Sequence, residues 1–147
     1  MPILLIFLCI ALIGIDQLIK FWIVNNIDLG TSISFIPGVS LTYLQNTGAA
    51  WSILEGKQVF FYVISVLAIV AIIYFWIKSK HNLMLQLGLS IVLAGTIGNF
   101  IDRIFHSFVV DMFQLNFINF PIFNFADACL TVGFVFIFIG FIKEENN

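Results

Sequence analysis

The chain has 147 residues, of which 61% are hydrophobic and only 10% are charged, and this composition is too apolar for a soluble domain of its length. A formal net charge of −2 gives no basic surface, so we expect no nucleic-acid partner. We therefore expect a mainly α-helical integral membrane protein.

Four hydrophobic runs are each about 20 residues long, enough for a helix to cross about 30 Å of hydrocarbon. The predicted transmembrane helices cover residues 3–24, 58–77, 83–104 and 122–142. The first run carries Asp16 and lacks both a basic leading region and a cleavage pattern, so we expect a permanent helix and not a cleaved signal peptide. With the loops at 25–57 and 105–121, the spans form one predicted membrane-embedded domain over residues 1–147.

The first span and the loop after it contain two polar features. Asp16 and Lys20 lie four residues apart, on one helix face and in the order that favours an ion pair, which we interpret as a structural contact. In the loop, the short alternating runs SISFI and VSLTYL are separated by glycine and proline, which predicts a small sheet. The polar residues 45–48 form either an ordinary turn or a grip on a substrate backbone.

The third span has one face that carries Gly88, Gly95, Asn99 and Asp102. This face is either a packing seam with satisfied polar groups or part of a functional site. Arg103 lies about 100° around the helix from Asp102, so we expect each of them to have a partner elsewhere.

The second loop carries Asp111 in an apolar segment, and the fourth span carries Asn124 and Asp127 on one face near its start. Pro121 suits the first turn of that helix. Because four spans alternate in direction, the late part of the first, the end of the third and the start of the fourth lie on one membrane side. We therefore expect Asp111 and Asp127 to lie near Asp16 and Asp102.

The distribution of basic residues indicates the orientation. Lys20 and Arg103 are expected to be committed to acids in the bundle, and without them the remaining lysines place the turn at 78–81 and both termini in the cytoplasm. The acidic cluster then faces the extracytoplasmic side.

Two carboxylates in a site of low dielectric constant tend to share one proton, which is the arrangement used by aspartic proteases. Such chemistry needs no metal or cofactor. Cys9 and Cys129 are interpreted as small apolar residues, and His81 and His106 lie at opposite ends of one span, so we expect no metal site. The residues alone leave open which acids form the pair.

Five motifs resemble those of the lipoprotein signal peptidases, also called signal peptidase II. They are the Asp16 and Lys20 pattern D-x-x-x-K, QNTGAAW at 45–51, GNFIDR at 98–103, VVD at 109–111 and FNFAD at 123–127. They occur in the family's order and cover nearly the whole chain. Trp51 stands where the family usually has phenylalanine.

The resemblance implies an aspartic endopeptidase of the bacterial cytoplasmic membrane that removes the signal peptide on the amino side of a diacylglyceryl-modified cysteine. It implies that Asp111 and Asp127 are the catalytic pair, with no cofactor and no metal. The residues implied to shape the site or bind peptide are Asp16, Lys20, Asn46, Gly48, Asn99, Asp102, Arg103 and Asn124. The implied fold has four membrane helices, a small extracytoplasmic sheet from the first loop and a short interfacial helix before the fourth span. The implied partners are lipid-modified prolipoprotein signal peptides and membrane lipid, and we expect a monomer to be active.

Two other functions fit some of these residues. A small proton-coupled transporter also uses acids within the membrane, but its acids should be spread across the bilayer. A scaffold held by structural ion pairs would tolerate Asp127→Asn.

Overall fold

The computed structural model describes residues 2–48 and 56–145. Trp51 and the end of the motif at 45–51 lie outside the described residues. The elements in chain order are α1 (Pro2–Asn26), β1 (Ser32–Ile36), β2 (Val39–Asn46), α2 (Gln58–Lys78), α3 (Leu83–His106), β3 (Val109–Leu115) and α4 (Phe125–Glu145). Within the described ranges, four helices are long and apolar enough to cross a membrane, which confirms the predicted spans.

The helix α3 is the centre of the bundle, because it packs against each of the other three helices. Two glycines on the predicted seam of α3 allow close approach to α4. A Cβ atom at Gly88 would lie 2.6 Å from the backbone nitrogen of Ile137, and one at Gly95 would lie 2.5 Å from the carbonyl oxygen of Ala126. A larger side chain at either position would therefore push the two helices apart, which confirms the packing seam.

The sheet is antiparallel, with the strand order β1, β2, β3. Its first two strands come from the first loop, as predicted, whereas β3 comes from the loop that carries Asp111. The segment before α4 is therefore built on a strand and not on the helix that the resemblance implied. Its sequence, VVDMFQL, is rich in the β-branched and aromatic residues that favour strands, and it pairs with β2 across Leu44 and Asp111.

An apolar core fixes the sheet to the end of the bundle. Side chains from the end of α1 pack against β2 and β3 through Ile23, Ile27, Leu41, Tyr43, Val110 and Met112. This contact places β3 beside the end of α3 and the start of α4. The sheet and the bundle therefore meet where the predicted acids lie.

Candidate active site

A buried ion cluster joins α1 to α3. The Lys20 ammonium lies 2.9 Å from Asp16 Oδ2 and 3.0 Å from Asp102 Oδ2, and it donates to Asn99 Oδ1 at 3.1 Å. All four side chains are buried. The three N–H groups of the ammonium thus have three acceptors, which confirms the predicted ion pair and identifies Lys20 as the partner of Asp102.

Each acid of this cluster also holds a backbone N–H group. Asp16 Oδ1 accepts a hydrogen bond of 2.9 Å from the backbone of Ala126, and Asp102 Oδ2 accepts one of 3.0 Å from the backbone of Val110. Ala126 lies in the first turn of α4, where N–H groups have no partner within the helix. The residues held in this way directly precede Asp127 and Asp111.

Asn124 joins Asp111 to Asp127. Its Oδ1 accepts from the backbone N–H of Asp127 at 2.9 Å, and its own backbone N–H donates to Asp127 Oδ2 at 3.1 Å, so the two residues form a capping box at the start of α4. The amide orientation is therefore fixed, and Asn124 Nδ2 donates to Asp111 Oδ1 at 2.6 Å and to Asn99 Oδ1 at 3.1 Å. This cap explains why α4 begins at Phe125 and not at residue 122, and why Pro121 precedes the helix.

Two further amides complete the contacts of the two acids. Asn99 Nδ2 donates to Asp127 Oδ1 at 2.8 Å, and Asn46 Nδ2 donates to Asp111 Oδ2 at 2.9 Å. The Asn46 amide is itself oriented, because its Oδ1 accepts from the backbone N–H of Gly48 at 2.9 Å. Both oxygens of each carboxyl group therefore have a hydrogen-bond donor.

Arg103 has a different environment from the one predicted. Its guanidinium donates to the carbonyl oxygen of Gly48 at 3.2 Å, and its central carbon lies 4.7 Å from the ring centroid of Phe61. Among the described residues it makes no salt bridge within 4.0 Å, so the expectation that an acid holds Arg103 is wrong there. Its charge instead acts through space on Asp111 and Asp127.

These groups line a cavity of about 680 Å³. Its polar side chains are those of Asn46, Ser65, Thr96, Asn99, Arg103, Asp111, Asn124, Asp127 and Thr131, and the backbone of Gly48 also lines it. Most of the remaining wall is apolar and comes from α2, α4 and residues 120–123. A mainly apolar cavity with a few convergent polar groups is typical of a binding site.

The two acids differ in their exposure to this cavity. The side chain of Asp127 is half-buried, whereas Asp111 is only 1% exposed. Burial raises the pKa of Asp111 from its ordinary value of 3.8 to about 7, and the nearby charge of Asp127 acts in the same direction. The hydrogen bonds from Asn46 and Asn124 oppose this shift. Asp111 therefore exchanges its proton near neutral pH.

One polar residue in contact with the cluster was not predicted from the sequence. The Gln17 amide nitrogen lies 3.0 Å from Asp16 Oδ2, 3.1 Å from Asp102 Oδ1 and 3.2 Å from the carbonyl oxygen of Gly98. The signal in the sequence that could have identified Gln17 was an amide side chain directly after an acid within an apolar span. Within the described residues, no group of three or more His, Cys, Asp or Glu side chains has an arrangement suited to a metal ion.

Comparison with known proteins decides the family. The sequence profile of signal peptidase (SPase) II matches residues 8–143. The chain belongs to the signal peptidase II family. A "Lipoprotein signal peptidase" of Lactiplantibacillus plantarum is 55% identical over 95% of this chain and 94% of its own length. One of Enterococcus faecalis is 57% identical over 92% of this chain and 85% of its own length.

Two solved structures of bacterial membrane enzymes share the fold of this chain. A bacterial membrane enzyme determined by the in meso method at 2.3 Å has a TM-score of 0.89 and 38% identity, covering 98% of this chain and 88% of that one. A second, determined at 1.9 Å, has a TM-score of 0.86 and 39% identity, covering 97% of this chain and 92% of that one. The chain is thus a multi-pass bacterial membrane protein and a peptidase, and nothing in these comparisons supports the transporter alternative.

Proposed function

We propose that this peptidase removes signal peptides from diacylglyceryl-modified prolipoproteins and cleaves on the amino side of the lipidated cysteine, with Asp111 and Asp127 as its catalytic pair. The names of the relatives support the substrate class. One observation carries the catalytic type: both acids line the same cavity and are joined by the side chain of Asn124.

The proposed resting state has one proton on Asp111, while Asp127 is ionised. Asp111 is the more deeply buried acid, and its raised pKa keeps the proton up to about pH 7. Asp127 lies in the first turn of α4, where its Oδ2 accepts a hydrogen bond from the backbone N–H of Asn124 and its Oδ1 accepts one from Asn99 Nδ2.

The reaction needs only these two acids and water. Asp127 takes a proton from a water molecule as its oxygen attacks the scissile carbonyl carbon, and Asp111 protonates the carbonyl oxygen. The C–N bond of the tetrahedral intermediate then breaks. Asp127 gives its proton to the leaving amine of the cysteine, and Asp111 regains a proton as the new carboxyl group forms.

The walls of the cavity suit a substrate that is itself within the membrane. Apolar side chains of α2 and α4, among them Ile64 and Val132, line the cavity and are about half exposed. A signal peptide and a diacylglyceryl group both favour such an apolar environment. Arg103 and Gly48 lie on the polar side, where they are proposed to hold the peptide backbone beside the acids.

The proposed orientation has both termini in the cytoplasm and the site on the extracytoplasmic side. This orientation is tested with Asp28→Cys and Lys80→Cys, each introduced alone into a chain that also carries Cys9→Ala and Cys129→Ala. A membrane-impermeant maleimide is then applied to intact cells. We expect labelling at position 28 and none at position 80 until the cells are opened. The reverse pattern would overturn the orientation.

The substrate proposal is tested with purified protein and one prolipoprotein, prepared with and without its diacylglyceryl group. We expect mass spectrometry to find cleavage immediately before the cysteine of the lipidated form only. Cleavage at another bond, or equal cleavage of both forms, would contradict the proposed specificity.

A further inference from the structure

We propose that Gln17 is a positioning residue that holds both catalytic acids through the backbone. The role in catalysis rests on the function proposed above. The position of its amide carries the inference, because Gln17 Nε2 lies 3.0 Å from Asp16 Oδ2 and 3.1 Å from Asp102 Oδ1. One uncharged donor thus bridges two carboxylates.

The bridge reaches an oxygen that the lysine does not. Asp102 Oδ2 accepts from Lys20 and from the backbone of Val110, whereas Oδ1 accepts from Gln17. The Asp102 side chain is only 2% exposed, so an oxygen that lost this donor would have little compensating water. Gln17 therefore fixes the rotation of the carboxylate that holds Val110.

The two carboxylates bridged by Gln17 each accept a hydrogen bond from a backbone N–H group next to a catalytic acid. Asp102 holds the N–H group of Val110, next to Asp111, and Asp16 holds the N–H group of Ala126, next to Asp127. If the Asp16 and Asp102 carboxylates move apart, β3 and the start of α4 are no longer held at a fixed position relative to each other. The expected result is a wrong separation of the catalytic acids without loss of the fold.

A second cavity adjoins Gln17 and two members of the cluster, Lys20 and Asp102. This cavity has a volume of about 530 Å³ and is lined by Gln17, Lys20, Asp102 and His106 together with apolar residues of α1. Shortening Gln17 would enlarge this cavity beside the cluster, so that water could occupy the place of the lost amide donor. Gln17→Met would fill the same space with an apolar side chain of equal length and would therefore keep water out.

This arrangement predicts an unusual order of two substitutions. Gln17→Met preserves the volume but removes the donor, and we expect kcat to fall about 10- to 100-fold with KM changed less than about twofold. Gln17→Ala admits water, and we expect kcat to fall less than about fivefold. A role in packing alone predicts the opposite order, because alanine leaves the larger void.

Gln86→Met is the matched control. Gln86 is a buried glutamine of α3 whose amide donates to the carbonyl oxygen of Trp76, far along the helix from Asp102. We expect this variant to lose thermal stability and to keep its kcat. Steady-state cleavage of a lipidated prolipoprotein gives kcat and KM for all variants, and hydrogen exchange measured by mass spectrometry follows the peptides of β3 and the start of α4.

The kcat values and the hydrogen-exchange rates together test the role of Gln17 separately from the proposed function. Faster exchange at residues 109–115 and 125–129 in Gln17→Met, with a lower kcat than Gln17→Ala, supports the inference. Unchanged exchange in Gln17→Met, or a kcat ordered by packing volume, overturns it. If the wild type does not cleave the substrate, the proposed function fails, whereas the exchange result still decides whether Gln17 holds the two segments.

Discussion

Removal of the Asn46 amide should move the pH dependence of cleavage in a defined direction. Asn46 Nδ2 donates to Asp111 Oδ2 at 2.9 Å, and this hydrogen bond favours the ionised form of Asp111. Without it the ionised form is less stable, so the pKa of Asp111 rises above its value of about 7. Because the proposed mechanism needs the proton on Asp111, the basic limb of the kcat/KM profile moves to higher pH.

The size of the shift follows from the energy of the hydrogen bond. A bond to a charged group contributes about 1.5 to 3 kcal/mol, and one pKa unit corresponds to about 1.4 kcal/mol. Asn46 is half-buried, so water replaces part of the lost bond, and we take the lower end of this range. The basic limb should therefore move up by about one unit in Asn46→Ala.

The assay measures kcat/KM for a lipidated prolipoprotein from pH 5 to 9 with wild type, Asn46→Ala and Asn116→Ala. Asn116 is a matched control because its amide donates to Ser40 Oγ, an exposed contact of the same sheet. Loss of the Asn46 contact to Gly48 also lowers the overall rate, so the position of the limb is the quantity to compare. A limb that stays in place, or moves to lower pH, would refute the role of Asp111 as the acid.

Two substitutions test the cluster that supports the acids. Lys20→Met leaves two buried carboxylates without their cation, and we expect it to lower the free energy of unfolding by about 3 to 5 kcal/mol, whereas Lys80→Met in the exposed turn should have little effect. Gly98→Ala would put a Cβ atom 2.6 Å from Asp16 Oδ2, so we expect thermal stability in detergent and kcat to fall together. Gly14→Ala on α1 meets nothing within 4 Å and should be neutral or stabilising. The described packing would be contradicted if Lys20→Met and Lys80→Met had equal effects on stability, or if Gly98→Ala and Gly14→Ala did.

The location of the site was predictable from topology. Counting four spans was enough to bring Asp16, Asp102 and Asp127 to one end of the bundle, and their contacts confirm it. The ion pair of Asp16 with Lys20 was also predictable, because helix spacing fixes which side chains share a face.

The sequence did not predict the parts that depend on contacts between distant segments. The segment at 109–115 is too short and too apolar for periodicity to distinguish a strand from a buried helix, and its pairing with β2 decides the result. The capping box of Asn124 and Asp127 was interpreted as a shared helix face, because the start of a helix is poorly defined in an apolar run. Gln17 was missed since its importance comes from two acids that are 85 residues and one residue away.

The catalytic pair is tested most directly by the kcat of Asp111→Asn and Asp127→Asn on a lipidated prolipoprotein, with Asp28→Asn as the control for an exposed acid. Each asparagine keeps the size of the side chain but can neither hold the shared proton nor act as the base. We expect both variants to remain folded, as judged by thermal unfolding in detergent, and to lose at least about a thousandfold in kcat, while Asp28→Asn keeps the wild-type rate. A folded Asp111→Asn or Asp127→Asn variant with full activity would contradict the assignment of the pair.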